Sequence, residues 1–262
     1  IRDSVTTIGV YAFSNCSSLT KFKGKFAEDN GRILVNDGQL IAFASAGITE
    51  YTIPNSVTSI GSGAFFNCRS LISVTIPDSV TEIGSNVFAF CYSLTEFKGK
   101  FAKDNGRIWV IDGKLIAFAP AGVTEYTIPD NITSIESYAF GGCNSITSVT
   151  IPDSVTWIGF NVFWCCNSLT SVYCMATTPP TLGYYYAVDS NGSGCKIYVP
   201  ASDDDSIINA YKSAEGWSKY AEYIVEFETT YDYMPTLPTD PDPKNLAFNH
   251  RAVVIDHTGV NC

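Results

Sequence analysis

Apolar residues recur along this chain at two spacings. Over four to seven residues they alternate with Ser, Thr or charged residues: LTKF, ITEYTIP, LISVTIP, LTEFKG, VTEYTIP, ITSVTIP and LTSVYC. Alternation rich in β-branched types marks a strand with one buried face. The segments begin at Leu19, Ile48, Leu71, Leu94, Val123, Ile146 and Leu169, at spacings of 29, 23, 23, 29, 23 and 23. Pro54, Pro77, Pro129 and Pro152 end four of them, since proline cannot donate to a strand ladder. The pattern predicts one strand per rung and one parallel sheet.

The connecting segments carry the second spacing. SVTSIGSGAFFNC, SVTEIGSNVFAFC, NITSIESYAFGGC and SVTWIGFNVFWCC place a β-branched residue, an isoleucine, a phenylalanine and a cysteine at fixed offsets. These residues are expected to point inward and stack: Val57, Ile60, Phe65 and Cys68 on Val80, Ile83, Phe88 and Cys91. Gly61 and Gly84 are expected to turn the chain with unusual dihedrals. The two long rungs are nearly identical, because residues 22–54 and 97–129 differ at six of 33 positions, 75 residues apart. Self-similarity at a fixed period means stacked units that bury a continuous core only together. Within each long rung, Asp37-Gly38 or Asp112-Gly113 lies between two apolar runs, a strong hairpin signal. A hairpin on the convex side is therefore expected in each.

Beyond the repeats, Cys195-Lys-Ile-Tyr-Val-Pro200 repeats the strand-then-proline rhythm and is expected to be an eighth strand. Residues 203–221 open with acids and place Ile207, Ile208, Tyr211, Ala214 and Trp217 at helical spacing. Tyr223 to Glu228 reads as a last strand. The expected organisation is a solenoid over 1–174, a small α/β capping module over 175–230, a proline-rich linker over 231–245, and a tail strand over 246–262. The chain opens on IRDSVTTIG, the middle of a rung, so rungs are expected before it.

The pattern L-x-x-V-x-I-P-x-S-V-T-x-I-G-x-x-A-F-x-x-C resembles the BspA-type leucine-rich repeat of bacterial surface proteins. Residues 71–91 fit it almost position for position, and the likeness runs over roughly 1–174. The stretch from Ala176 to Phe227 resembles the end module of such repeats. The resemblance implies a right-handed, curved α/β-repeat solenoid, secretion to the outer cell surface, and a binding or adhesion role without catalytic residues. The tail LAFNHRAVVIDHTGVNC resembles the start of a thioredoxin-like domain whose C-x-x-C motif would open at Cys262. A plain strand pairing with the solenoid is the other reading of that tail. If the first holds, the solenoid is a spacer displaying a downstream domain.

Composition narrows the partners. The net charge of −10 argues against nucleic acid or an anionic membrane surface, which need clustered Lys and Arg. No apolar run is long enough to span a bilayer. No cofactor or metal is expected, and the protein is expected to be a monomer. Both histidines, His250 and His257, fall in the tail, so the repeats lack the base a Ser-His-Asp site requires. Cys16, Cys68, Cys91, Cys143 and Cys166 share one slot and read as small buried side chains. Zinc would need paired ligands such as C-x-x-C. Cys174 and Cys195, at the edges of adjacent expected strands, are candidates for a disulfide. Asp203, Asp204 and Asp205 read as a solvated helix cap or, alternatively, as Ca²⁺ ligands. The Asn15, Asn131 and Asn191 sequons carry little meaning in a bacterial protein.

What remains is surface. Two rows of outward strand positions cross the expected concave face: Lys21, Glu50, Ser73, Glu96, Glu125, Ser148 and Ser171, then Lys23, Thr52, Thr75, Lys98, Thr127, Thr150 and Tyr173. Such a hydroxylic face with charges of both signs suits a protein or glycan partner, or water alone. Tyr184, Tyr185 and Tyr186 are a second interface candidate, with burial under the end module as the alternative.

Overall fold

The computed structural model describes residues 1–183 and 194–227. The expectations for Tyr184 to Tyr186, Asn191, the linker and the tail, including His250, His257 and Cys262, lie outside the described residues.

The chain winds into a solenoid with parallel strand ladders on two sides of a continuous core. On one side run Glu50–Thr52, Ser73–Thr75 and Glu96–Lys98, then Glu125–Thr127, Ser148–Ile151, Ser171–Cys174, Lys196–Pro200 and Ile224–Phe227. On the other, two-residue strands such as Ser59–Ile60 and Glu82–Ile83 extend a wall that begins at the hairpins. Alternation decides which side chains enter: Val74, Val149 and Val172 are fully buried while their neighbours along the strand turn outward. Phenylalanines form columns through the rungs, Phe43–Phe65–Phe88 at 4.8 and 5.0 Å and Phe118–Phe140–Phe163 at 4.8 and 5.3 Å. Burying each such side chain is worth about 1.5–3 kcal/mol.

The hairpins form as expected. Ile33–Asn36 pairs antiparallel with Gln39–Phe43, and Ile108–Ile111 with Lys114–Phe118. Asp37 and Gly38 both take positive φ, 48° and 77°, the requirement of a two-residue hairpin turn. Each hairpin joins the second wall, because its later strand pairs parallel with the next rung.

The expected single parallel sheet is divided. Glu96–Lys98 has no ladder partner in the next rung, and the strand row splits into sheets of three and five strands. The cause is the turn Asp104-Asn105-Gly106. Its φ values of 50°, 51° and 84° are incompatible with a strand. It sits beside the ladder, where the Gly106 carbonyl accepts from the Phe97 N–H at 2.7 Å. The Tyr126 hydroxyl donates to Asp104 Oδ2 at 2.7 Å, and Arg107 Nη1 reaches the Ala119 and Ala121 carbonyls at 2.9 Å each. The first copy repeats this around Asp29, Arg32 and Tyr51. Its strand, LTKF, is irregular: Phe22 pairs with Gly31, and the terminal amine of Ile1 donates to the Lys23 carbonyl.

Gly61 and Gly84 are not turn glycines; neither has positive φ. Rung-to-rung approach explains Gly84, where an added Cβ would lie 2.3 Å from the Ser62 nitrogen. At the end, Ser206–Ser213 is helical, and Tyr211 and Trp217 are buried with their polar atoms bonded to the Ala176 and Pro180 carbonyls at 2.9 and 2.7 Å. Ile224–Phe227 then adds the last parallel strand.

Candidate functional site

The register of the strand ladder assembles the two outward rows. Glu50 pairs with Ser73 and Ser73 with Glu96, while Thr52, Thr75 and Lys98 line up beside them. After the break, Glu125, Ser148 and Ser171 align, as do Thr127, Thr150 and Tyr173. Twelve of the fourteen predicted positions therefore lie on regular strands of one face. Lys21 and Lys23 are exposed but off any strand, for the reason given above. Ser73 is a second correction: it is 3% exposed, a short side chain between two glutamates in register.

The face has local electrostatic order. Lys98 Nζ lies 2.9 Å from Glu96 Oε1, with both side chains about half exposed. The hydrogen bond that Lys98 donates to Glu96, the charge of Glu96, and the further charge of Glu50 hold the Lys98 ammonium above its ordinary range. The second half is less charged and becomes aromatic toward its end. Two residues missed in the sequence extend the rows: Lys196 pairs with Ser171, and Tyr198 with Tyr173. The two tyrosine rings stack at 4.6 Å and 15°, and Phe227 meets Tyr173 edge-on at 5.8 Å. The strand Lys-Ile-Tyr-Val-Pro was legible; extending the rows onto it required only the register.

The cysteine slot is structural where it is enclosed. Cys68, Cys91, Cys143 and Cys166 are buried, and Cys91 and Cys166 thiols donate to the Phe65 and Phe140 carbonyls at 3.2 and 3.1 Å. Burial pushes the Cys91 and Cys143 thiols well above the usual range, the reverse of what a nucleophile or metal ligand needs. Cys16, in the first rung, is exposed. The disulfide candidate is corrected by register. Ser171 pairs with Lys196, so Cys195 lies beside Thr170, four positions along the ladder from Cys174. At strand rise that is about 13 Å, too far for a disulfide. Cys174 is a buried free thiol, pushed up to about 12 chiefly by burial. Asp204, one residue before the N-cap Asp205, accepts the Ser206 N–H at 3.0 Å, and bonds from the Ser206 hydroxyl and then its N–H hold the carboxyl below its usual range. No cluster of three or more metal-ligating side chains occurs among the described residues. No helix there is long and apolar enough to cross a membrane.

The model of the BspA type leucine rich repeat region matches in six copies, over residues 39–103 and 115–186. A leucine rich cell surface protein of Faecalibacterium prausnitzii A2-165 is 30% identical, with 66% of this chain and 46% of that one covered and a TM-score of 0.47. A leucine-rich repeat protein of Bacteroides ovatus is 21% identical over 69% of this chain and 43% of that one, with a TM-score of 0.42. The T. pallidum leucine rich repeat protein is 18% identical over 79% of this chain and 80% of that one, at 0.33. This chain thus spans under half the length of the first two. No curated protein matches it.

Proposed function

The chain belongs to the BspA-type leucine-rich repeat family, whose copies cover more than half of it, and on that premise we propose that it is a non-enzymatic binding protein of the bacterial cell surface. The family suggests protein binding or adhesion in general. The finer step is that a protein or glycan partner docks on the outward rows of the strand ladder, outside the cell.

The observation that carries this reading is the register-aligned face itself. Glu50, Thr52, Thr75, Glu96 and Lys98 stand on a rigid ladder whose inward positions are fully committed to the core. A preorganised array of hydroxyls and charges loses little entropy when it binds. The Tyr173–Tyr198 pair ends the same face with the residue type that most often anchors interfaces. Leucine-rich repeats are not a catalytic fold class, and the buried thiols and capped acids are accounted for by packing.

The test is binding of the purified chain to arrays of host-type proteins and glycans. Glu50→Lys and Glu125→Lys, both exposed, are expected to weaken the retained ligand about tenfold by reversing charge in a preformed row. A ligand held equally well by both variants would remove the strand face from consideration.

A further inference from the structure

The third edge of the solenoid carries a feature that the strand pattern does not announce. Here the short-rung arcs stack directly, because the long rungs do not reach this edge. Asn67 Nδ2 donates to Asn15 Oδ1 at 2.8 Å across the first long rung, and the Phe90 N–H donates to the Gly141 carbonyl at 3.1 Å across the second. The result is a chain of six touching aromatic rings: Tyr11, Phe66, Phe90 and Trp164 step along the axis, and Tyr138 and Phe160 flank the Trp164 end. Successive centroids are 6.2, 5.2, 5.1, 5.5 and 4.9 Å apart, with interplanar angles from 67° to 86°. All five contacts are edge-to-face, the geometry aromatic pairs prefer. Tyr11 and Phe160 are 40% and 38% exposed, and the rest are partly exposed.

Packing alone does not require these residues. Each arc has two positions in the left-handed region, one before the Ala or Val and one before the Cys. Glycine or asparagine fills most of them: Gly63, Asn86 and Asn161 in the first, Asn15, Asn67 and Gly142 in the second. Tyr11, Tyr138, Phe90 and Cys165 occupy the remaining slots at φ of 62°, 61°, 63° and 58°, where a side chain other than Gly or Asn is strained, and three of these four are aromatic. Strain that is kept where unstrained residues would serve points toward function. The glycines have a complementary role. A Cβ on Gly63 would lie 2.3 Å from the Tyr11 ring, and one on Gly142 would lie 2.7 Å from the Phe90 ring. The small residues thus clear the floor over which the rings lie.

We propose that this aromatic ribbon binds a neutral, linear polysaccharide along the solenoid axis. Each pyranose has a flat C–H face that suits an exposed ring face, and rings recur along the axis from Tyr11 to Trp164. Polar partners for sugar hydroxyls flank the line: the Asn67–Asn15 amide pair, Asn161 Nδ2 bonded to the Tyr138 hydroxyl at 3.1 Å, and Arg69, which stacks on Tyr92 at 5.4 Å while donating to Asn67 at 2.7 Å. Charge favours neutrality in the ligand. The chain carries −10, which repels polyanions in general, while the ribbon itself offers rings, amides and one guanidinium. This site is separate from the strand face, and either can fail without the other.

The test is native affinity electrophoresis of the full chain in gels containing glucomannan, mixed-linkage β-glucan or, as an anionic contrast, polygalacturonate. Retardation by a neutral polymer is expected. Phe66→Ala and Trp164→Ala should weaken it at least fivefold, as should Phe160→Ser, whose exposed ring makes it a variant that folds. Tyr223→Ser, an exposed tyrosine elsewhere, should leave it unchanged. The proposal is overturned by mobility unaffected by either neutral polymer, by retardation undiminished in all three ring variants, or by retention on aromatic-rich peptide arrays in place of polysaccharide.

Discussion

Tyr126 and Tyr51 occupy equivalent places in the two copies and do the same work. Each hydroxyl donates to the first residue of a left-handed Asp-Asn-Gly turn, at 2.7 and 2.8 Å. The bond to a charged acceptor offsets part of the strain of those turns. Tyr126→Phe should therefore cost about 1–2 kcal/mol in urea denaturation; no change would mean that water replaces the hydroxyl without loss. The same tyrosines set a pH limit. Burial first, then the Asp104 or Asp29 bond and charge, raises both phenols far above the usual range, and burial raises Tyr211 as well. The thiols of Cys91, Cys143 and Cys174 are raised by burial too. A group whose folded pKa is raised stays protonated in the fold after the unfolded chain has ionised, so its stability is present at low pH and lost as pH rises. The unfolded thiols ionise from about 8.5 and the phenols from about 10. Thermal melts should thus be level from neutral pH to about 8, then fall progressively through pH 9 to 11. A melting temperature that is flat across that range would contradict the buried state of these groups.

At the scale of elements, glycine separates two kinds of rung contact. Gly84 and Gly159 follow a short rung, and an added Cβ would meet the backbone nitrogen of Ser62 or Ser137 at 2.3 or 2.5 Å. Gly61 follows a hairpin, with its nearest atom, the Leu40 carbonyl oxygen, at 3.2 Å. After the second hairpin the same slot holds Glu136, which shows how much side chain that neighbour admits. Gly84→Ala and Gly159→Ala are expected to destabilise by about 1–3 kcal/mol, as overpacking does, and Gly61→Ala by clearly less. Equal costs at the three sites would refute the distinction. This also shows what the sequence could convey. The strands, hairpins and buried ladder of Phe and Cys were legible because each is a local period. The role of Gly84 was not, since it depends on which element lies one rung away. The split of the strand row was missed for a similar reason: Asp-Asn-Gly reads as a turn, but its place beside Phe97 is a tertiary fact. The outward rows were legible from alternation, except at Lys21 and Lys23, which lie off any strand, and at Ser73, which disappears between its glutamate neighbours. The aromatic edge was not legible, because its rings come from four different repeat slots and meet only when the long rungs leave that side open.

The whole molecule behaves as a stack in which each layer answers to its neighbours, and the duplicated block makes that testable. Removing residues 48–122 joins Gly47 to Val123. Along the ladders and Phe columns every new contact at the junction already exists in the parent; at the third edge Tyr138 would replace Gly63 against the Tyr11 ring, where even a Cβ would lie at 2.3 Å, so the deletion carries Tyr138→Gly. Tyr126 would meet Asp29 as Tyr51 does, Ser134 would pair with Gln39 as Ser59 does, and Phe140 would stack on Phe43 as Phe65 does. Since a repeat array is stabilised by intrinsic and nearest-neighbour terms, the shortened chain should fold with a single cooperative transition. Its m-value should fall roughly in proportion to the surface lost with 75 of 262 residues. Circular dichroism and urea denaturation would show this. A chain that aggregates, or that melts without cooperativity, would mean that stability depends on contacts beyond adjacent layers. The same deletion separates the two surfaces. It keeps Glu125, Thr127 and the Tyr173–Tyr198 end of the strand face, but it takes Phe66 and Phe90 out of the ribbon and leaves Tyr11 beside Gly141 in place of a ring. A shortened protein that still folds should therefore lose polysaccharide retardation by an order of magnitude or about 1.4 kcal/mol. Retention of full affinity would place polysaccharide binding elsewhere than on these rings.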